Sequence, residues 1–209
     1  MIKNKTTVLL AGVACMMLSV AASADIIVNS FGMKYSGSPT GTVSYPGAVS
    51  NTIYAGEIRL NTNTGPVDAF CIDVTNLLRT GSYTQSTVDL PTADRAWQSI
   101  SKLFDHYYEG ANTASRSAAF QLALWALING TSTSQSTSFG GAAALANSWL
   151  ASLSDLDALG HYQLTVLNPL APTANQRLLT VARVPEPGTL ALLGLGLLGA
   201  GAMRRRRTH

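Results

Sequence analysis

Cysteine is nearly absent: the 209-residue chain holds two. Cys15 lies inside an N-terminal apolar run, so the body of the chain keeps one, Cys71. A lone cysteine cannot close an internal disulfide. Histidine is equally scarce, with three in all, and no Cys/His spacing suggests a zinc site. No metal or cofactor is expected. Charge is thin, at 12% against about 25% in an average globular protein. The formal net charge of +3 comes from the ends, where Lys3, Lys5 and Arg204 to Arg207 sit. Between Asp25 and Arg183 there are 8 basic and 10 acidic side chains. That stretch lacks the basic face needed to neutralise phosphates, which excludes nucleic-acid binding. No internal repeat is present. Ser, Thr, Gly and Ala fill the gap, a composition common in secreted bacterial proteins.

Long apolar runs occur only at the two ends. Lys3 and Lys5 precede one from Val8 to Val20, followed by Ala22-Ser23-Ala24. This reads as a secretory signal over residues 1–24, cleaved before Asp25. The run is shorter than the ~20 residues that span a bilayer, which argues against an uncleaved anchor. Gly12 occupies the place where a lipoprotein signal needs an aliphatic residue before Cys15.

The other end, 184–209, has three parts: Pro185-Glu186-Pro187, a charge-free apolar span over 189–203, and the four arginines. The arginines would hold the chain end on the cytoplasmic side. The tail resembles the PEP-CTERM sorting signal of Gram-negative bacteria. The resemblance implies an exosortase as processing partner, transient residence in the inner membrane, and a final place at the cell surface or in an exopolysaccharide-rich matrix. An ordinary C-terminal membrane anchor is the plainer alternative.

Residues 25–183 are long enough for one domain with a real core. Alternation predicts strands over 25–31, 51–61 and 67–74, with a turn at 63–66. Residues 34–50 are Gly/Ser/Pro-rich and read as loop with one short strand around Val43. A short strand or loop begins at Gly81. The period then changes. Ala93, Trp97, Ile100, Phe104 and Tyr107 fall at helical spacing behind Thr92 as N-cap. A second helix follows Asn112-Thr113 and ends at Asn129-Gly130. Residues 131–138 read as a Ser/Thr-rich loop, 142–153 as a third helix, and 162–167 and 177–184 as closing strands. The order predicts an α+β domain: a β-rich body with a cluster of about three helices between N-terminal and C-terminal strands.

Two residues stand out chemically. Cys71 in Ala-Phe-Cys-Ile-Asp is either a reactive thiol or a small buried hydrophobe. Gln121 in Ala-Phe-Gln-Leu-Ala-Leu-Trp lies among Ser117, Ala118, Leu124 and Trp125 on the apolar face of the second helix. A buried amide without partners costs about 1–3 kcal/mol. It therefore either bonds a neighbouring backbone or does chemistry: a thiolate can attack a glutamine carbonyl, expel ammonia and leave a thioester. Asp73 reads as a capping or solvated residue. His106 reads as a helix-end residue.

Phe70-Cys71-Ile72 followed about 50 residues later by Phe120-Gln121-Leu122-Ala123-Leu124-Trp125 resembles the thioester domains of bacterial surface adhesins. The resemblance implies a Cys71–Gln121 thioester, shielded by Phe70, Phe120 and Trp125. A lysine amine or other nucleophile on a docked envelope or matrix partner would open it once, without turnover, so no enzyme is implied. Two rivals stay open. Cys71, His161 and Asn168 occur in the chain order of a papain-like or transglutaminase-like enzyme, although no motif surrounds His161. Alternatively Cys71 and Gln121 are core packing in a structural matrix protein.

Overall fold

The computed structural model describes residues 25–48, 52–172 and 175–185. Expectations for 1–24 and for Glu186 onward, including the apolar span 189–203, lie outside these residues. Six antiparallel strands close a barrel: β1 (Ile26–Met33), β4 (Ile58–Thr62), β5 (Gly65–Cys71), β9 (Leu178–Arg183), β8 (Tyr162–Pro169) and β6 (Gly81–Thr87), in that order around the wall. β1 closes it by pairing with β6 from Ile26↔Tyr83 to Val28↔Gly81. A small sheet joins β3 (Ile53–Tyr54), β2 (Thr40–Val43) and β7 (Ser136–Thr137). Three helices, α1 (Arg95–Tyr107), α2 (Ala114–Ile128) and α3 (Gly141–Ser152), lie in sequence between β6 and β8. The molecule is α+β, with the helices between N-terminal and C-terminal strands.

The helix boundaries follow from caps. Thr113 accepts from the Arg116 N–H to start α2, and Gly130 follows its end with φ +67°. Asp94, rather than Thr92, caps α1 by accepting from the Ala96 and Trp97 N–H groups. A carboxylate there also meets the positive end of the helix dipole. α2 is buried on all sides from Ser117 to Ala126 because it runs through the centre of the domain.

The strand expected over 51–61 is interrupted. Gly56 adopts φ +135°, and a Cβ there would stand 3.2 Å from Met33 Cε and 3.3 Å from Ser117 Oγ. The start of α2 presses against the chain at this point, and the Glu57 N–H donates to Ser117 Oγ at 2.7 Å. Glycine is required for both the backbone sign and the space. The loop expected over 131–138 contains β7, which exists only through pairing with β2 (Val43↔Ser136).

Between barrel and helices lies an aromatic cluster. Phe120 of α2 packs 4.8 Å from both Phe70 of β5 and Phe104 of α1, centroid to centroid. Beside it, buried Glu57 accepts from the Tyr108 hydroxyl at 2.6 Å. Lys34 Nζ lies 2.8 Å from Glu57 Oε2 and 3.0 Å from Asp68 Oδ2. Burial opposes the charges of Lys34 and Asp68, but their hydrogen bonds outweigh it: Lys34 is raised and Asp68 lowered from the ordinary values. Both stay charged, so this cluster is ionic.

Candidate functional site

Cys71 is the last residue of β5, paired with Leu178 of β9. The ladder continues one step, as the Ile72 N–H donates to Arg177 O at 3.1 Å. β5 is buried across its last three residues and Ile72 beyond, because it faces the helices on one side and the barrel on the other.

Gln121 reaches Cys71 from α2, but at the main chain. The Cys71 N–H donates to Gln121 Oε1 at 3.0 Å, and Gln121 Nε2 donates to Cys71 O at 2.7 Å. The amide matches the peptide donor for acceptor, as a neighbouring strand would. Of the two expectations for this residue, bonding to backbone is the one these contacts fulfil.

The Cys71 sulfur meets a different glutamine. Its S–H donates to Gln176 Oε1 at 2.7 Å. Gln176 Nε2 donates to Asp73 O, and the Gln176 N–H donates to Asn175 Oδ1 at 2.9 Å. The side-chain carbonyl of Gln176 is thus turned towards the sulfur and its amino group towards the main chain two residues past β5. Sequence reasoning missed Gln176. It stands two residues before β9, in a segment whose pairing with β5 is 105 residues distant in the chain. The available signal was a pair of amides, Asn175-Gln176, ahead of a closing strand.

Burial first, and the charge of Asp73 second, push the Cys71 thiol far above its ordinary range. Asp73 accepts from the Thr75 N–H at 2.8 Å, Thr75 Oγ1 at 2.6 Å and Asn76 Nδ2 at 2.9 Å. Burial opposes its charge, yet these bonds prevail and its pKa is lowered. Asp73 therefore caps a turn and remains an anion near the sulfur.

Cys71, Gln176 and Trp125 line one cavity of about 440 Å³, whose walls include Phe31, Met33, Ile53 and Tyr54. Its lining contains no Asp, Glu, Lys, Arg or His, and Gln121 does not reach it. Tyr54 and Phe31 are exposed at the rim. Trp125 Nε1 is buried without a partner, the one such side-chain atom among the described residues. Phe70 and Phe120 do not line the cavity but pack against each other in the aromatic cluster.

His161 is not brought to Cys71. Its N–H donates to Asp105 Oδ1 at 2.9 Å, and it precedes Tyr162, which pairs with Arg183. Cys71 pairs with Leu178, five residues up β9, or roughly 17 Å at ~3.3 Å per residue. Asn168 Nδ2 donates to Ser86 Oγ at 3.2 Å. Among the described residues no cluster of three or more His, Cys, Asp or Glu could hold a metal, and no helix is long and apolar enough to cross a membrane.

No curated protein matches the sequence. Solved structures similar to it include the N-terminal domain of the Streptococcus pyogenes pilus tip adhesin Cpa, at 17% identity and TM-score 0.46, covering 75% of this chain and 100% of that one. The N-terminal thioester domain of a protein F2 like fibronectin-binding protein from Streptococcus pneumoniae is 14% identical with TM-score 0.45, over 70% and 92% of the chains. The N-terminal thioester domain of the fibronectin-binding protein SfbI from Streptococcus pyogenes is 14% identical with TM-score 0.43, over 75% and 99%. At the other end, residues 183–207 match the PEP-CTERM protein-sorting motif, which marks the chain as an exported protein with a C-terminal sorting tail.

Proposed function

We propose that this is an exported surface or matrix protein whose domain, residues 25–183, forms an internal thioester and spends it on one covalent attachment. The observation that carries the reading is the 2.7 Å approach of Cys71 Sγ to the Gln176 side-chain carbonyl inside an uncharged cavity. In this reading Gln176 is the acyl partner and Gln121 the residue that holds Cys71 in place. The sulfur attacks Gln176 Cδ, the C–N bond breaks, and ammonia departs carrying the thiol proton. The raised thiol pKa leaves little thiolate, so the step depends on the enforced proximity of sulfur and carbonyl.

The product is a stored electrophile at a cavity whose lining carries no acidic or basic side chain. A primary amine on a partner, entering the apolar cavity, is favoured in its neutral form because burial disfavours an ammonium. Its nitrogen attacks the Gln176 carbonyl, the C–S bond breaks, and the amine proton moves to sulfur. An amide joins the partners and Cys71 is freed. The bond is spent once, so no turnover follows. A cysteine-enzyme reading finds less support, since the thiol is raised and His161 lies at the opposite end of β8.

Tail processing by an exosortase fits the match at 183–207, and the end of β9 at Arg183 supports a domain boundary there. The second reading is the Cys71–Gln121 thioester, which the closeness of that amide to the Cys71 peptide keeps in play.

Intact mass and peptide mapping test both. The folded domain should weigh about 17 Da less than its sequence, the mass of one ammonia lost in acyl transfer. The deficit should vanish in Cys71→Ala and in Gln176→Ala. Methylamine should restore a free thiol and leave its label on Gln176. A deficit that survives Gln176→Ala, with the label on Gln121, selects the second reading. A full-weight wild-type domain removes both.

A further inference from the structure

The reading of Gln176 as acyl partner has a mechanical consequence. After attachment the partner hangs on the Gln176 side chain, and Cys71 no longer holds it. The sorting motif begins at residue 183, where β9 ends, so no linker separates strand from tail. Between these two points the chain is already extended and held in ladder. The Arg177 carbonyl accepts from Ile72 N–H, Leu178 to Thr180 pair with β5, Leu178 to Arg183 pair with β8, and Val184 N–H donates to His161 O at 2.8 Å.

We propose that β9 is a force-bearing tether: tension between a partner on Gln176 and an anchor on the C-terminal tail runs along β9 alone and leaves the rest of the domain unloaded. Gln176 and Arg183 are seven residues apart. At ~3.3 Å per residue that span is about 23 Å, and full extension adds roughly 2 Å. The barrel has almost no slack to release. Attachment at Gln121 would differ sharply. That residue lies 62 positions before Arg183. Such a segment extends to about 220 Å, whereas a domain of this size is about 40 Å across. Pulling there would unravel α2, α3 and β8, with roughly 180 Å of new length.

Force spectroscopy on the full chain separates these cases. With Cys15→Ala and Cys71→Ala in place, a maleimide DNA handle is coupled at Gln176→Cys or at Ser115→Cys, an exposed position in the first turn of α2 that stands in for attachment on that helix, and a second handle at the C-terminus. The tail contributes equally to both. The 176 handle should show no domain-unfolding step before the linkage fails, and the 115 handle, 68 residues before Arg183, a gain of about 200 Å. A domain-unfolding step from the 176 handle overturns the tether. These arms need no thioester. A third uses a wild-type chain loaded with an amine-bearing handle, which also serves if Gln176→Cys does not fold. A trace without the long step agrees with attachment at 176. A trace with a step of about 180 Å, the length that attachment at Gln121 would release, counts against Gln176 as acyl partner. Failure to capture the amine handle counts against the thioester and leaves the first two arms to decide the mechanics.

Discussion

Gln121 binds the main chain of Cys71 on both sides, accepting from its N–H at 3.0 Å and donating to its carbonyl at 2.7 Å. The contact spans 50 residues and sets the end of β5 against α2. Removing it strands two buried backbone groups at about 1–3 kcal/mol each. Gln121→Ala should therefore destabilise the domain by about 3–5 kcal/mol, measured as a lower urea midpoint with unchanged slope. A loss below about 1 kcal/mol would show that the pairing adds little.

Gly56→Ala meets both Met33 and Ser117 and must hold φ +135°. About 2–4 kcal/mol of destabilisation is expected from steric and backbone strain together. Ser117→Ala leaves the Glu57 N–H without its 2.7 Å acceptor and should cost about 1–2 kcal/mol. Because the two sites touch, the double variant should lose less than the sum of the single losses. Strict additivity in calorimetry would contradict the contact.

Trp125 carries a buried indole N–H without a partner. Trp125→Phe removes that donor and keeps most of the ring, so stability should fall by less than about 1–2 kcal/mol. Trp125→Ala should cost about 3–5 kcal/mol by opening a cavity. Thermal melts of the two variants provide the comparison, and equal losses would be inconsistent with an orphaned donor.

The pH dependence has two arms of opposite sign. In thioester-free Gln176→Ala, the Cys71 thiol is raised by burial, so the folded state keeps the proton longer than the unfolded chain. Stability from this group is complete below the unfolded thiol value of about 8.5 and is lost as pH rises past it, by up to about 1.4 kcal/mol per pH unit. Adding Cys71→Ala should flatten that slope in urea titrations between pH 8 and 10. Asp68 is lowered, so its contribution is complete above about pH 4, the unfolded carboxylate value, and fades as pH falls below it. Asp68→Asn should weaken the acid-side loss. An unchanged acid limb would exclude Asp68 as its source.

Much of the fold is local enough to be legible in the chain. The change of period near Ala93 and the caps Thr113 and Gly130 mark the helices, because capping and amphipathic spacing act within a turn or two. The break at Gly56 was not legible, because the side chains that crowd it, Met33 and Ser117, stand 23 and 61 residues away. β7 was hidden for the same reason: two Ser/Thr residues become a strand only beside β2.

The candidate site divides along the same line. By itself the sequence determined that residues 25–183 hold one thiol, that a glutamine sits on the apolar face of α2, and that the C-terminal end carries a sorting motif, since composition and short motifs do not depend on folding. Which glutamine faces which part of Cys71 was decided only by tertiary structure. Closure of the barrel pairs β9 with β5 and sets Gln176 on the sulfur, while the packing of α2 aims Gln121 at the peptide. Long-range strand pairing leaves no trace in local periodicity, so two amides that look alike in the chain hold different positions at the cysteine.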